Sequence, residues 1–147
     1  MSYIESTLIP NEEIKYTGKL HWIIYIKSIA ILIVGIILSF SSETRLFGAG
    51  VILLSFLFYF KYWLDSITTE LAITSKRIIA KVGIIRRETI ELNHSKVESL
   101  SVDQSILGRI LNYGTITING TGNAKLPIKT ISKPMLFRQN ANIEFNS

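Results

Sequence analysis

The sequence predicts a mainly β domain with some α structure, in which about seven short antiparallel strands form a small sandwich or barrel closed by a C-terminal helix. Apolar and β-branched residues alternate with polar ones through most of the chain, which is the period of half-buried strands. Two long apolar runs interrupt this pattern after the first strand. We therefore expect a two-helix transmembrane hairpin to be inserted after that strand.

Composition narrows the class of protein. The chain has 147 residues, 48% of them hydrophobic, and a net charge of +5. A modest basic excess suits contact with anionic lipids or nucleic acid, but it also suits the topology of a membrane protein. There are no cysteines, so disulfides, thiolate zinc sites and a cysteine nucleophile are excluded.

The two apolar runs each have 19 residues, close to the length that crosses a bilayer core as a helix. They are Trp22–Phe40, with Lys27 near its start, and Leu46–Leu64, with Lys61 near its end. As buried core helices they would need more covering chain than so short a protein has left. We therefore predict two membrane spans.

Only Ser41–Arg45 separates the spans, so they must form a tight antiparallel hairpin with both chain ends on one side of the membrane. The hairpin tip carries one basic residue, Arg45. The basic residues near the spans on the other side are Lys15, Lys19, Lys76, Arg77 and Lys81. Because an excess of Lys and Arg marks the cytoplasmic side, both termini are predicted to be cytoplasmic.

Aromatic residues occur at the span ends on that same side. Trp and Tyr are enriched at membrane–water interfaces, where the ring is partly buried and its polar group meets water. The predicted interface anchors are Trp22, Tyr25, Tyr62 and Trp63, with Tyr59 nearby. Within the first span, Gly35 and Ser39 are small residues whose spacing allows close approach of another helix.

The predicted strands follow from alternation and from the turn residues between them. Glu12–Leu20 precedes the spans. The strands after the spans are Ser66–Thr74, Arg77–Val82, Ile84–Leu92, Lys96–Gln104, Tyr113–Gly120 and Asn123–Ile131. Pro127 assigns the last strand to a sheet edge or a bulge, because proline has no N–H to donate.

Two helices complete the predicted elements. Ser105–Asn112 has the pattern of a short amphipathic turn of helix. At the C-terminus the period changes to that of a helix, with Ser132 as its N-cap and Pro134 in its first turn. The residues that form its apolar face are Leu136, Phe137, Asn140, Ala141 and Phe145.

The alternation also assigns faces to the strands. In Arg77–Val82, the even-numbered residues are apolar, and Arg77, Ile79 and Lys81 point to the opposite side. In Lys96–Gln104, strict alternation puts Val97 on the opposite face from Leu100 and Val102.

Domain organisation follows from the expected pairing of the first strand with strands beyond the spans. Residues 1–20 then hold the N-terminal segment and the first strand of the β domain. Residues 21–65 form the transmembrane hairpin, and residues 66–147 supply the remainder of the domain.

The soluble part resembles a known family, the bacterial pleckstrin-homology (PH) membrane proteins, long classed as a domain of unknown function. The resemblance lies in "IPNEEIKYTGKLHW", in residues 69–122 and in "SKPMLFRQ", and is clearest in "ITSKR", "QSILGRILNYGTI" and the late "P..FR". It implies a PH-like fold of two nearly orthogonal antiparallel sheets with a C-terminal helix, in the bacterial inner membrane, and no catalysis. Roles suggested for the family are self-assembly into rings, lipid contact and protein binding. Fold alone does not carry over phosphoinositide binding.

No catalytic, cofactor or metal site is predicted from the residue types. His21 lies at the membrane boundary and His94 in a turn, too far apart in sequence for a metal-ligand spacing. Glu88 and Glu91 lie on opposite strand faces, so they are not a pair for acid–base chemistry. The glycines of "GTITINGTG" match neither nucleotide-binding fingerprint. We expect a protein that is not an enzyme.

A basic stretch remains to be explained. Its residues, Lys76, Arg77, Lys81, Arg86 and Arg87, are the candidate contacts with lipid or a partner protein. Each basic side chain near an anionic leaflet contributes about 1 kcal/mol of binding free energy. The other interpretation is that these charges only solubilise one face of the sheet and help to orient the anchor. Nucleic acid is not expected, because no aromatic residues accompany the charges for base stacking.

The expected function is therefore a scaffold or adaptor at the cytoplasmic membrane face, acting by self-association, binding of membrane or cytoplasmic proteins, or contact with membrane lipids. The alternative is an accessory subunit of a membrane transport or export complex. A transport role favours polar or ionisable residues at mid-membrane, whereas the span centres, Leu32–Ile36 and Leu53–Leu57, hold only Gly35 and Ser55 as interruptions.

Overall fold

A computed structural model describes residues 3–83, 87–122 and 124–145. The chain forms two compact units. We call Met1–His21 together with Thr68–Ser147 the β unit, and Trp22–Ile67 the helical unit. The helical unit is therefore an insertion between two parts of the β unit.

The β unit is built on seven strands within the described residues. They are β1 (Ile14–Gly18), β2 (Glu70–Thr74), β3 (Arg77–Val82), β4 (Glu88–Asn93), β5 (Val97–Asp103), β6 (Tyr113–Gly120) and β7 (Ala124–Ser132). The α-helices of the chain are α1 (Tyr3–Thr7), α2 (Ile26–Ser39), α3 (Arg45–Thr68), α4 (Ile106–Leu111) and α5 (Pro134–Phe145). Short 3₁₀ turns cover Trp22–Tyr25 and His94–Lys96.

The strands form two antiparallel sheets. Sheet A has the order β1-β2-β3-β4 and sheet B the order β5-β6-β7. β1 pairs with β2, with Gly18 opposite Leu71, so the first strand joins a strand that follows the helical unit. β7 is an edge strand, which is where Pro127 can be accommodated. The predicted fold class of two antiparallel sheets with a C-terminal helix is confirmed.

The hydrophobic core of the β unit draws on both sheets and on α5. Alternate residues of β6, Ile116 and Ile118, are fully buried, as the period of a strand requires. Helix α5 contributes Phe137 and Ala141, which are one turn apart and also fully buried. The ring of Tyr16 meets Phe137 edge-on, with 5.9 Å between ring centroids. α5 therefore closes the core against sheet A as well as sheet B.

Several details of the predicted elements were wrong. Ser66–Thr68 continue α3 as helix, and β2 begins only at Glu70. Val97 packs against the core together with Leu100 and Val102, because a bulge between Val97 and Ser99 shifts the alternation by one residue. Ser132 ends β7, and Lys133, with φ of 50°, directly precedes α5.

The helical unit consists of two helices long and apolar enough to cross a membrane, Trp22–Ser39 and Arg45–Thr68. They approach closely through small residues. A Cβ on Gly48 would lie 2.3 Å from Ser39 Oγ and 2.8 Å from the Gly35 carbonyl oxygen. Gly35 and Ser39, the pair singled out by spacing, therefore do form the contact between the helices.

Candidate functional site

The outer face of sheet A, where the basic stretch was predicted to face solvent, is covered by the N-terminal segment. We call residues 3–12 the strap. Within it, Ile4 is buried against Ala72 and Ile79, which are themselves fully buried. The backbone N–H groups of Tyr3 and Ile4 donate to the two carboxylate oxygens of Glu70, at 3.0 and 3.1 Å. A carboxylate in that position satisfies unpaired N–H groups at the start of α1.

Arg77 fastens the end of the strap to the sheet. Its Nε donates to Glu12 Oε1 at 2.9 Å and its Nη2 to Glu12 Oε2 at 3.1 Å, which is the paired geometry of a guanidinium on a carboxylate. Its Nη1 donates to Glu91 Oε2 at 2.6 Å, and Nη2 also donates to the Thr7 carbonyl oxygen at 2.7 Å. Arg77 is only 9% exposed. Each of its three guanidinium nitrogens donates to a group of this chain.

Glu12 is the matching buried anion. Burial by itself raises its pKa, but the hydrogen bonds from Arg77, the Ile9 N–H and the Thr74 hydroxyl, with the charge of Arg77, outweigh burial and lower the pKa to about 2. The Thr74 hydroxyl donates to Glu12 Oε1 at 2.6 Å. The salt bridge also raises the pKa of Arg77, chiefly through its hydrogen bonds with Glu12. Both groups are charged at neutral pH.

The strap also contacts the two lysines of the predicted set, Lys76 and Lys81. Lys76 Nζ donates to the Pro10 carbonyl oxygen at 3.0 Å, although the residue remains exposed. Lys81 Nζ lies 3.7 Å from Glu70 Oε1 and 4.8 Å above the centroid of the Tyr3 ring. Much of the positive charge on β3 is therefore balanced by groups of this same chain.

The position of each basic residue along the sheet matters for contact with a membrane. We call the attachment end that end of the β unit at which Gly18–His21 leave it and Glu70 begins β2. Lys81 is opposite Glu70, at this end. Lys76 is in the turn after β2, at the opposite end of the strand, and five strand residues span roughly 15 Å. The structure thus separates residues that are close in sequence.

The remaining two arginines were predicted inside the strand Ile84–Leu92, but β4 begins at Glu88, so Arg87 lies before the strand. Arg87 is exposed and precedes Glu88, which is opposite Val82 at the attachment end. Arg86 lies outside the described residues. Contact of this basic set with lipid stays a prediction. The burial of Arg77 removes it from any such surface, and Arg87 is the described member of the predicted set that is exposed at the attachment end.

The four predicted interface anchors lie in the helical unit. The rings of Tyr25 and Tyr59 are 5.2 Å apart, which brings the start of the first apolar helix beside the last turns of the second. Trp63 stacks with Phe60, and Tyr62 with Phe58, at 5.8 and 6.5 Å. Trp22 and Trp63 are 56% and 43% exposed. The fold gathers these aromatic residues at the end of the hairpin away from its tip, and their role at an interface stays a prediction.

A second surface was missed by the sequence analysis. Helix α4 exposes Ile106, Leu107 and Ile110, by 79%, 62% and 73%, and its buried residue is Gly108. The segment Ser105–Asn112 was expected to be a short amphipathic turn of helix, and an amphipathic helix in a folded domain ordinarily packs its apolar side against the core. The signal that could have shown otherwise is the glycine, because a residue without a side chain is the one that tolerates the closest backbone approach.

The two histidines have structural neighbours. The ring of His21 lies 5.4 Å from that of Tyr113, and His94 meets Phe145 edge-on at 5.3 Å. Among the described residues, no group of three or more His, Cys, Asp or Glu side chains is arranged to hold a metal ion.

Comparison with known proteins identifies the family. No match was found among curated proteins or among solved structures. The family model described as "Bacterial PH domain" matches residues 18–142, which is well over half of the chain and includes the helical unit. The strap and most of β1 precede the matched region. Two antiparallel sheets, a C-terminal helix and this match lead to one conclusion: the chain belongs to the bacterial PH domain family.

Proposed function

We propose that this protein is a non-enzymatic PH-like domain anchored in the bacterial cytoplasmic membrane by its helical hairpin. It acts as a scaffold or adaptor at the cytoplasmic face, where it holds copies of itself or other proteins. The observation that carries the proposal is the insertion of two long apolar helices between β1 and β2, so that the chain leaves and re-enters one folded domain.

The surface of the helical unit supports an anchor. Large apolar side chains on both helices point outward, for example Ile33, Val34 and Leu53, which are 52%, 51% and 65% exposed. Such a surface costs free energy in water, at roughly 25 cal/mol for each Å² of apolar area, and none in hydrocarbon. The interior of the hairpin uses glycine and serine, the residues typical of packed membrane helices.

The alternative, an accessory subunit of a transport or export complex, has less support. The hydroxyl of Ser55 donates to the Ile52 carbonyl oxygen at 2.7 Å, and that of Ser28 to the Tyr25 carbonyl oxygen at 2.7 Å. Each of these buried serines is therefore satisfied by its own helix, and its proton is not directed toward a polar path between the helices. Within the described residues, neither span centre contains a charged side chain.

Membrane fractionation of a matched pair of variants tests the anchor. Ile33→Lys with Leu53→Lys puts a charge in the middle of each apolar helix, at a cost of roughly 2.5–3.5 kcal/mol per residue for membrane insertion. Met135→Lys with Ile143→Lys makes the same change at exposed apolar positions of α5 in the β unit. We expect the first variant to be lost from the carbonate-washed membrane pellet and the second to be retained. Release of the wild-type protein by carbonate would overturn the anchor.

Crosslinking in native membranes, followed by mass spectrometry, tests the scaffold. A ladder of self-crosslinks indicates assembly of this chain with itself, and one dominant foreign protein indicates an adaptor. A protein that gives neither product at saturating crosslinker, while it remains in the membrane pellet, contradicts the scaffold and leaves the anchor standing.

A further inference from the structure

Helix α4 is capped at both ends, and its large apolar side chains are turned outward. Ser105 Oγ accepts a hydrogen bond from the Gly108 N–H at 3.1 Å, which caps the start of the helix. Asn112, in the left-handed conformation with φ of 60°, ends it. The side-chain amide of Gln104 donates to the carbonyl oxygens of Gly108 and Tyr113, at 3.2 and 3.0 Å.

Gly108 sets which side of α4 faces the protein. A Cβ at this position would lie 2.6 Å from the Tyr113 carbonyl oxygen, so only glycine fits at the contact. Because the Gly108 side of α4 packs against the protein, Ile106, Leu107 and Ile110 point away from it. The helix therefore exposes three large apolar side chains. Large apolar side chains exposed together on one short helix are typical of an interaction surface.

This surface lies at the attachment end of the β unit. Tyr113 follows α4 after one residue, and its ring lies 5.4 Å from the ring of His21. The backbone N–H of His21 donates to the Thr130 carbonyl oxygen at 2.7 Å, which fixes the exit of the chain beside sheet B. His21 is the last residue before the helical unit. If the helical unit is embedded in a bilayer, the chain connection alone keeps this end of the β unit near the membrane surface.

Three exposed basic residues lie at the same end. Arg109 is exposed on α4 itself. The backbone N–H of Lys133 donates to the Asn112 carbonyl oxygen at 2.9 Å, and the Lys19 carbonyl oxygen accepts from the Ser132 N–H at 2.9 Å. Lys19 and Lys133 are both exposed. Apolar side chains with lysine and arginine around them match the chemistry of an anionic bilayer surface, where acyl chains lie beneath negatively charged headgroups.

We propose that α4 is a third membrane contact of this protein, in which Ile106, Leu107 and Ile110 insert into the headgroup–acyl boundary and Arg109, Lys19 and Lys133 bind anionic headgroups. The inference rests on the proposed membrane anchor. It moves lipid contact from the basic face of β3, whose charges are engaged by the strap, to α4 at the attachment end. Two hairpin helices and α4 together would hold the β unit in one orientation over the leaflet.

Site-directed labelling of the full chain in lipid nanodiscs tests this proposal. The protein has no cysteine, so each of the variants Ile106→Cys, Ile110→Cys, Ile143→Cys and Ile33→Cys carries a single spin label. Ile143 is the matched control, an exposed isoleucine on the last turns of α5 near His94, away from the attachment end. The discs contain phosphatidylcholine and phosphatidylglycerol, and the measurement is accessibility to oxygen, which partitions into lipid, against a water-soluble nickel chelate.

We expect labels at 106 and 110 to be several-fold less accessible to the nickel chelate than the label at 143, and more accessible to oxygen. Equal nickel accessibility at 106, 110 and 143, with the label at 33 accessible to oxygen and not to nickel, would overturn the α4 contact while leaving the anchor intact. A nickel-accessible label at 33 would overturn the anchor, and the α4 contact with it. Protection at 106 and 110 from both reagents would show a protein partner instead of lipid, and would also overturn the proposal.

Discussion

Arg77 is a residue whose chemistry is set by distant parts of the chain. Its guanidinium binds Glu12, Glu91 and the Thr7 carbonyl oxygen, and Glu12 is 65 positions away. A buried ion pair of this kind contributes little net free energy compared with an apolar pair, but removing one partner leaves a charge buried without compensation. The pair therefore stabilises one particular arrangement, with the strap on sheet A.

Substitution of the buried anion measures that effect. Glu12→Gln keeps the shape of the side chain but removes its charge, so that Glu91, which is partly exposed, is the carboxylate that remains beside Arg77. We therefore expect the free energy of local opening around β2 and β3 to fall by about 2–3 kcal/mol. Hydrogen–deuterium exchange of peptides covering these strands reports it. Glu13→Gln, at an exposed salt bridge one residue away, is the control and should change little. Equal protection in the two variants would count against the buried pair.

The pH dependence has a definite sign. The folded-state pKa of Glu12 is about 2, below its ordinary value of 4.5, so its contribution to stability is present above about pH 4.5 and is lost as pH falls toward 2. The thermal unfolding midpoints of the wild type and of Glu12→Gln should be compared at about pH 7, 5 and 3. We expect the difference between the two midpoints to become smaller as the pH falls. A difference that stays constant to pH 3 contradicts the assignment of charge to Glu12.

At the scale of elements, the close approach of α2 and α3 depends on small residues, and Gly48 is one of them. Gly48 faces Ser39 and Gly35, and an added Cβ would be 2.3 Å from Ser39 Oγ, whereas Gly50 has no atom within 4 Å of such a Cβ. Gly48→Ala must push the helices apart, and we expect a loss of about 1–3 kcal/mol in hairpin stability. Gly50→Ala should be neutral or stabilising by up to about 1 kcal/mol, since alanine is the better helix former.

Thermal loss of the helical circular dichroism signal in detergent micelles compares the two variants. The control matters because both substitutions add one methyl group to the same helix, two residues apart. If both variants melt alike, the contact between α2 and α3 through Gly48 is not the one that holds the hairpin together.

The elements also show where local pattern fails. The bulge in β5 turns Val97 to the core because one extra residue on a strand reverses the faces of those beyond it. α4 is turned outward because Gly108 meets the Tyr113 carbonyl oxygen. Neither feature can be read from alternation, since both depend on the backbone of a neighbouring element.

At the scale of the whole molecule, the hairpin insertion predicts a topology. Both parts of the β unit should be on the cytoplasmic side and the hairpin tip on the other. Single cysteines at Ser6, Ser42 and Gln139, in a chain that has none, allow labelling with a membrane-impermeant maleimide. We expect Ser42→Cys to react in right-side-out vesicles, and Ser6→Cys and Gln139→Cys only in inverted ones. Reaction of all three from one side would exclude a hairpin that spans the membrane.

The sequence by itself determined the architecture of this protein. Strand and helix periods, the two apolar runs and the short segment between them are local properties, so they predict the strands, α5 and the inserted helices. Phe137 and Ala141 are buried on the predicted face of α5, whereas Leu136 of the same predicted face is 44% exposed. Only the tertiary structure decided which charges reach the surface. Arg77 and Arg87 are both arginines of the same basic stretch, but Arg77 is buried under the strap and Arg87 is exposed. The physical reason is that a charged side chain on a sheet is buried only where another segment covers that face of the sheet. The covering segment can be distant in the sequence, so the contact exists only in the folded protein.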